Sequence, residues 1–157
     1  MTATRSALLG GFVAGLLDIL YACIVFGLRS QVSPMRIGQA IASHVLGQAS
    51  FDGGWGSAIL GFGLHFFIAI AMAFGLLVIC RAVPFVARHV VTLSPIYGLV
   101  LYAVMTYAVL PLTDPNHGPY PTFPPAIGFS LYSALFAHIV LVTLPIAFFL
   151  SSRVKEA

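Results

Sequence analysis

The stretch from Gly56 to Cys80, GSAILGFGLHFFIAIAMAFGLLVIC, holds one histidine, His65, and no Asp, Glu, Lys or Arg. A helix rises about 1.5 Å per residue and a hydrocarbon core is about 30 Å thick, so roughly 20 apolar residues make one crossing. The stretch therefore predicts a membrane span. His65 lies roughly ten residues from one end and fifteen from the other, close to mid-depth. A polar side chain at that depth is costly and is expected to have a partner.

The rest of the chain has the same character. Hydrophobic residues make up 60% of the 157 and charged residues 7%, against about 25% charged in a soluble domain. That balance excludes a soluble globule. The length accommodates four crossings with short connections, and we read residues 1–157 as a single integral membrane domain, all-α, a four-helix transmembrane bundle. The net charge of +3 comes from seven Lys and Arg against four acids, scattered without a basic cluster. It reports membrane topology, and nucleic acid is not expected as a partner.

Four spans are expected at about 6–28, 56–80, 90–112 and 126–150. The first follows Arg5 and exceeds a signal-peptide apolar region, so a retained helix is expected. Ser33-Pro34 reads as a helix N-cap followed by proline at the first helical position, starting a short helix at about 34–47. Ile37, Ile41, Val45 and Leu46 fall on one side of it, with Arg36, Gln39 and Ser43 elsewhere, which predicts an extracytoplasmic helix lying in the interface. Phe51 to Trp55 reads as a flexible turn, Arg81 to His89 as a short basic connection, and Thr113 to Pro125 as a proline-rich loop. A distortion is expected near Pro145. Arg5, Arg81, Arg88, Arg153 and Lys155 on one side outnumber Arg29 and Arg36 on the other. The asymmetry places both termini of this multi-pass protein in the cytoplasm.

Within the first span Gly11, Gly15, Asp18 and Ala22 share one helical face, and Gly11-x-x-x-Gly15 permits close approach of another helix. Each span then carries one polar group at mid-depth: Asp18, His65, Tyr102 and His138. Small residues lie one turn away, Gly61 and Ala69 beside His65, Gly98 beside Tyr102 and Ala134 beside His138, so the four are expected to face inward.

Three readings of this cluster stay open. The four groups hydrogen-bond to one another and fix helix register. They pass protons or small ions. Or His65 and His138 ligate a haem b. A further alternative makes the chain an accessory subunit whose Gly11 and Gly15 face binds another membrane protein or a second copy. Cys23 and Cys80 stand alone on different spans and read as packing residues. His44, His89 and His117 fall in connections, where solvation is the default. No nucleophile motif, P-loop or dinucleotide fingerprint is present. We therefore expect no enzyme, no metal and no obligatory cofactor, with the lipid bilayer as the first partner.

Several segments resemble a family of small four-helix bacterial inner-membrane proteins, itself distantly similar to the YagU-like membrane proteins. They are Ile41-Ala42 with Gly47 and Phe51-x-Gly53-Gly54, His65-Phe66-x-Ile68-Ala69, Tyr97-Gly98 with Tyr102-x-Val104-Met105, Val109-Leu110-Pro111-Leu112, and His138 with Pro145-Ile146-Ala147. The resemblance implies four helices and a bacterial inner membrane, and brings no chemistry with it. Asp18 lies outside the matching segments.

Overall fold

A computed structural model describes residues 2–113 and 125–154. The proline-rich loop, with His117, falls outside the described residues but for its ends, as does Lys155. The described residues form helices joined by short connections, with no strand among them. We label the helices α1 (Ala3–Ser30), α2 (Pro34–Leu46), α3 (Gly54–Ala82), α4 (Pro84–Arg88), α5 (Val90–Thr113) and α6 (Phe129–Val154). Four of them, α1, α3, α5 and α6, are long and apolar enough to cross a membrane. The chain is thus an all-α four-helix bundle of the kind a multi-pass membrane protein has.

Local chemistry sets the helix ends. Thr2 caps α1 by accepting from the Arg5 N–H, and Ser33 caps α2 by accepting from the Arg36 N–H, ahead of Pro34. Gln31, at φ 52°, takes the left-handed conformation that stops α1, its N–H returning to the Gly27 carbonyl. The basic connection expected after Cys80 is more ordered than read. Arg81 extends α3, and Pro84 opens the single turn of α4. The flexible turn expected from Phe51 to Trp55 is instead the end of a 3₁₀ segment, Gly47–Asp52, and, past Gly53, the first residues of α3.

Proline shapes the other two spans. It lacks the N–H that the carbonyl four residues back would receive. In α5 the helix opens into a π segment, Met105–Val109, two residues before Pro111. In α6 it does so over Ala137–Thr143, two residues before Pro145. The expected distortion near Pro145 thus takes the form of wide turns that include His138. Pro95 is accommodated differently, because the Ser94 hydroxyl donates to the Val91 carbonyl that Pro95 leaves unserved, at 2.8 Å.

Small residues let the helices close. A Cβ on Gly11 would lie 2.7 Å from the Ile70 Cα, and one on Gly15 2.9 Å from the Phe66 ring, so α1 seats on α3 through these glycines. Gly10 meets Ile146 and Phe149 of α6, which sets the start of α1 beside the end of α6. Gly98 meets Ile139, joining α5 to α6, where Thr143 also donates to the Ser94 carbonyl at 3.0 Å. The buried core, including Ala7, Ala73, Leu76, Leu77, Leu101, Ile146 and Leu150, fills the half of the bundle nearest the termini. Cys23 and Cys80 are free.

α2 forms where expected, and the structure adds which of its faces meets the bundle. Its buried face is not the Ile37, Ile41, Val45 and Leu46 side, since Val45 and Leu46 are exposed. It buries Gly38, Gln39, Ala42 and Ser43 along with Ile37. Gly38 packs against Ala58, and Gly61 against the Gly38 carbonyl, so small residues outrank large apolar ones in choosing the seat on α3. Gln39, 2% exposed, donates to the Phe51 and Gly54 carbonyls. Ser50 donates to the Gln39 carbonyl and Ser57 to the Ser50 carbonyl. This lattice fixes α2 to the start of α3.

Candidate functional site

The half of the bundle away from the termini holds three cavities. A cavity of about 620 Å³ runs under α2, lined by Ile19, Ala22, Phe26, Ile37, Ile41 and His44, with exposed Arg36 on its wall. A second, about 370 Å³, lies between α1 and α6 with exposed Arg29 and Ser30 on its wall. A third, about 380 Å³, reaches the interior between α2, α3, α5 and α6, lined by His44, His65, Met72, Met105, Thr106 and His138 among others. Asp18 borders all three. His65 and His44 border the first and the third. A mid-depth carboxylate thus stands where the cavities meet.

His65 is held by α3 at the Gly15 contact. Its Nε2 lies 2.9 Å from the Gly15 carbonyl oxygen, so this nitrogen carries the proton and donates. The same nitrogen is 3.9 Å from Asp18 Oδ2, which makes an ion pair when His65 is protonated. The side chains of Asp18 and His65 are 27% and 16% exposed. Small-residue packing explains the pairing, because Gly15 lets α3 come close enough for His65 to reach the α1 backbone one turn from Asp18. Among the described residues, no hydrogen-bond donor reaches the Asp18 carboxylate.

His138 lines the third cavity, but its Nδ1 bonds to its own-turn Ala134 carbonyl at 2.8 Å. Tyr102 stands edge-on to the His138 ring at 5.8 Å between centroids and does not line the cavity. Asp18, His65 and His138 therefore come together around one space, with Tyr102 behind His138. The four do not form the mutually hydrogen-bonded network weighed from the sequence. A haem iron between the two imidazoles would also have to compete with the Gly15 carbonyl for His65 Nε2. Among the described residues, no group of three or more His, Cys, Asp and Glu side chains is arranged to hold a metal ion.

Two features escaped the sequence. His44, assigned to a solvated connection, sits on α2, lines two of the cavities, and has its Nδ1 2.9 Å from the Thr113 hydroxyl of α5. Its spacing from Ile37 and Ile41, one turn apart on α2, was the available signal. Tyr21 and Ser133 join α1 to α6 through their hydroxyls at 3.0 Å, beside the second cavity. Near the cavity walls Arg29 rests on the Phe129 ring at 3.8 Å and Arg36 on Phe51 at 4.0 Å, cation–π contacts that hold two positive charges there. The Gly11 and Gly15 face, meanwhile, is filled by α3 of the same chain, and so is not open to a second protein.

No family model, no curated protein and no solved structure matches this chain.

Proposed function

We propose that the protein passes protons across the membrane, entering from the side that α2 covers, exchanging on Asp18 and His65, and leaving through the packed half when it opens. The observation that carries this reading is the place of the Asp18 carboxylate, at the junction of three cavities and 3.9 Å from His65 Nε2. A carboxylate serving only helix register would be sealed and hydrogen-bonded, since an unpaired one in hydrocarbon is costly. Open to a cavity, it can be hydrated and can change protonation state. His44 and His138 line the same space and supply further exchanging groups on either side of the pair.

Protons fit the cavity better than metal cations. Arg29 and Arg36 stand on the approach, and a hydrated cation has to pass these fixed charges, whereas a proton hops between hydrogen-bonded groups. The packed half beyond His138 holds Leu76, Leu77, Leu101, Ile146 and Leu150 and must rearrange for passage across. In this reading both termini are cytoplasmic, as the Lys and Arg asymmetry implies, and the half with the three cavities faces outward in a bacterial inner membrane.

Liposomes holding the purified full chain and a pH-sensitive dye test this. With a pH gradient and valinomycin to clamp the potential, proton flux should exceed that of empty liposomes and fall to that level in Asp18→Asn and His65→Ala, each checked for wild-type folding. Flux equal to that of empty liposomes, or unchanged in both variants, rejects the proposal.

A further inference from the structure

The opposite end of the bundle holds a different kind of site. A cavity of about 420 Å³ lies where the α3 to α5 connection meets the start of α1 and the end of α6. Three of its nine lining residues are arginines, Arg81, Arg88 and Arg153; Ala3, Leu77, Cys80, Pro84, Ala87 and Val154 complete the wall. No acid lines it among the described residues, and none of the three arginines makes a salt bridge with another described residue. Arg153 Nε is shut off from solvent with no hydrogen-bond partner.

That last feature separates this cavity from an ordinary ring of basic residues at a helix end. Surface arginines at a membrane face extend into water and are satisfied there. A guanidinium N–H withdrawn from water without an acceptor is costly, and a fixed fork of donors is suited to a phosphate or carboxylate. One partly buried and two exposed guanidinium forks around one cavity, with an apolar wall at the level where a span leaves the bilayer, fit a phosphate-bearing anion. We infer that this pocket binds a phosphate anion, presented as the headgroup of an anionic phospholipid or free in solution. The inference is independent of the proposed proton entry on the α2 side, which lies beyond the packed core.

The test uses the full chain in detergent, with phosphatidylglycerol, phosphatidylcholine and inorganic phosphate as probes, read by thermal unfolding and by lipid retention in native mass spectrometry. Phosphatidylglycerol should be retained and raise Tm, and phosphatidylcholine, which carries the same phosphate without net charge, should not. Arg81→Gln and Arg88→Gln, both at exposed positions that leave the fold intact, should each weaken binding about five-fold. Arg153→Lys keeps the charge but loses the fork and should also weaken it. A shift with inorganic phosphate that the same variants reduce assigns the pocket to free phosphate, and lipid selectivity assigns it to a headgroup. If phosphatidylglycerol and phosphatidylcholine behave alike and phosphate has no effect, or if the Arg81→Gln/Arg88→Gln double variant binds as wild type, the inference is overturned.

Discussion

A carboxylate in the middle of an apolar bundle needs a proton, a partner or water, and Asp18 has only a distant imidazole and an open space. The packing around it explains why this is tolerable. Gly11 and Gly15 are committed to α3, and the close approach they permit brings His65 onto the Gly15 carbonyl. The two kinds of residue differ in what they stabilise. Alanine at position 11 places a Cβ within 2.7 Å of the Ile70 backbone and should cost about 1–3 kcal/mol by overpacking. His65→Ala loses one hydrogen bond in a membrane setting, worth about 0.6 kcal/mol on average. Equilibrium unfolding in mixed micelles should rank Gly11→Ala as the more damaging. A His65→Ala loss equal to or larger than that of Gly11→Ala would make the histidine a structural keystone and weaken the functional reading. The sequence made Gly11, Gly15 and Asp18 legible as one face, because helical spacing alone decides that. It could not supply the cavity, since a polar residue reads the same whether its partner is a donor or water.

At the scale of elements, the spans were legible from length and apolarity, and the ends moved by only a few residues. α2 was legible as a helix, through Ser33 and Pro34, but its seat was not. A pattern of large apolar residues marks the face that prefers hydrocarbon. Against a closely packed partner helix the small residues Gly38 and Ala42 win, and Gln39 can be buried because the start of α3 presents carbonyls to it. The π segments were legible only as proline positions. Their consequence is rotational, because one extra residue in a turn displaces what precedes it by about 100° around the axis. His138 sits in such a segment ahead of Pro145. Pro145→Ala restores the missing N–H and should let α6 return to regular helix, turning His138 away from the cavity. The expected outcome is a Tm at or above wild type together with reduced proton flux. Unchanged flux would mean that the π segment does not position His138.

At the scale of the molecule, the bundle is two unlike halves. Near the termini, Leu76, Leu77, Ile146 and Leu150 close the interior. On the α2 side, three cavities border Asp18, and two of them also border His65. The division follows from where the small residues lie: Gly10 and Gly11 draw α1 onto α6 and α3 in the half that side chains then fill, and Gly61 of α3 seats α2 over the opening on the other side. The central claim is that this opening is a wet half-path ending at mid-depth, and cysteine accessibility measures it directly. In a cysteine-free background reconstituted in one orientation, a membrane-impermeant thiol reagent should label Ala22→Cys, on the cavity wall, when added on the α2 side. It should not label Leu76→Cys, at 1% exposure in the packed half, from either side. An Ala22→Cys that resists the reagent on the α2 side, or a Leu76→Cys that reacts as fast, would contradict the account.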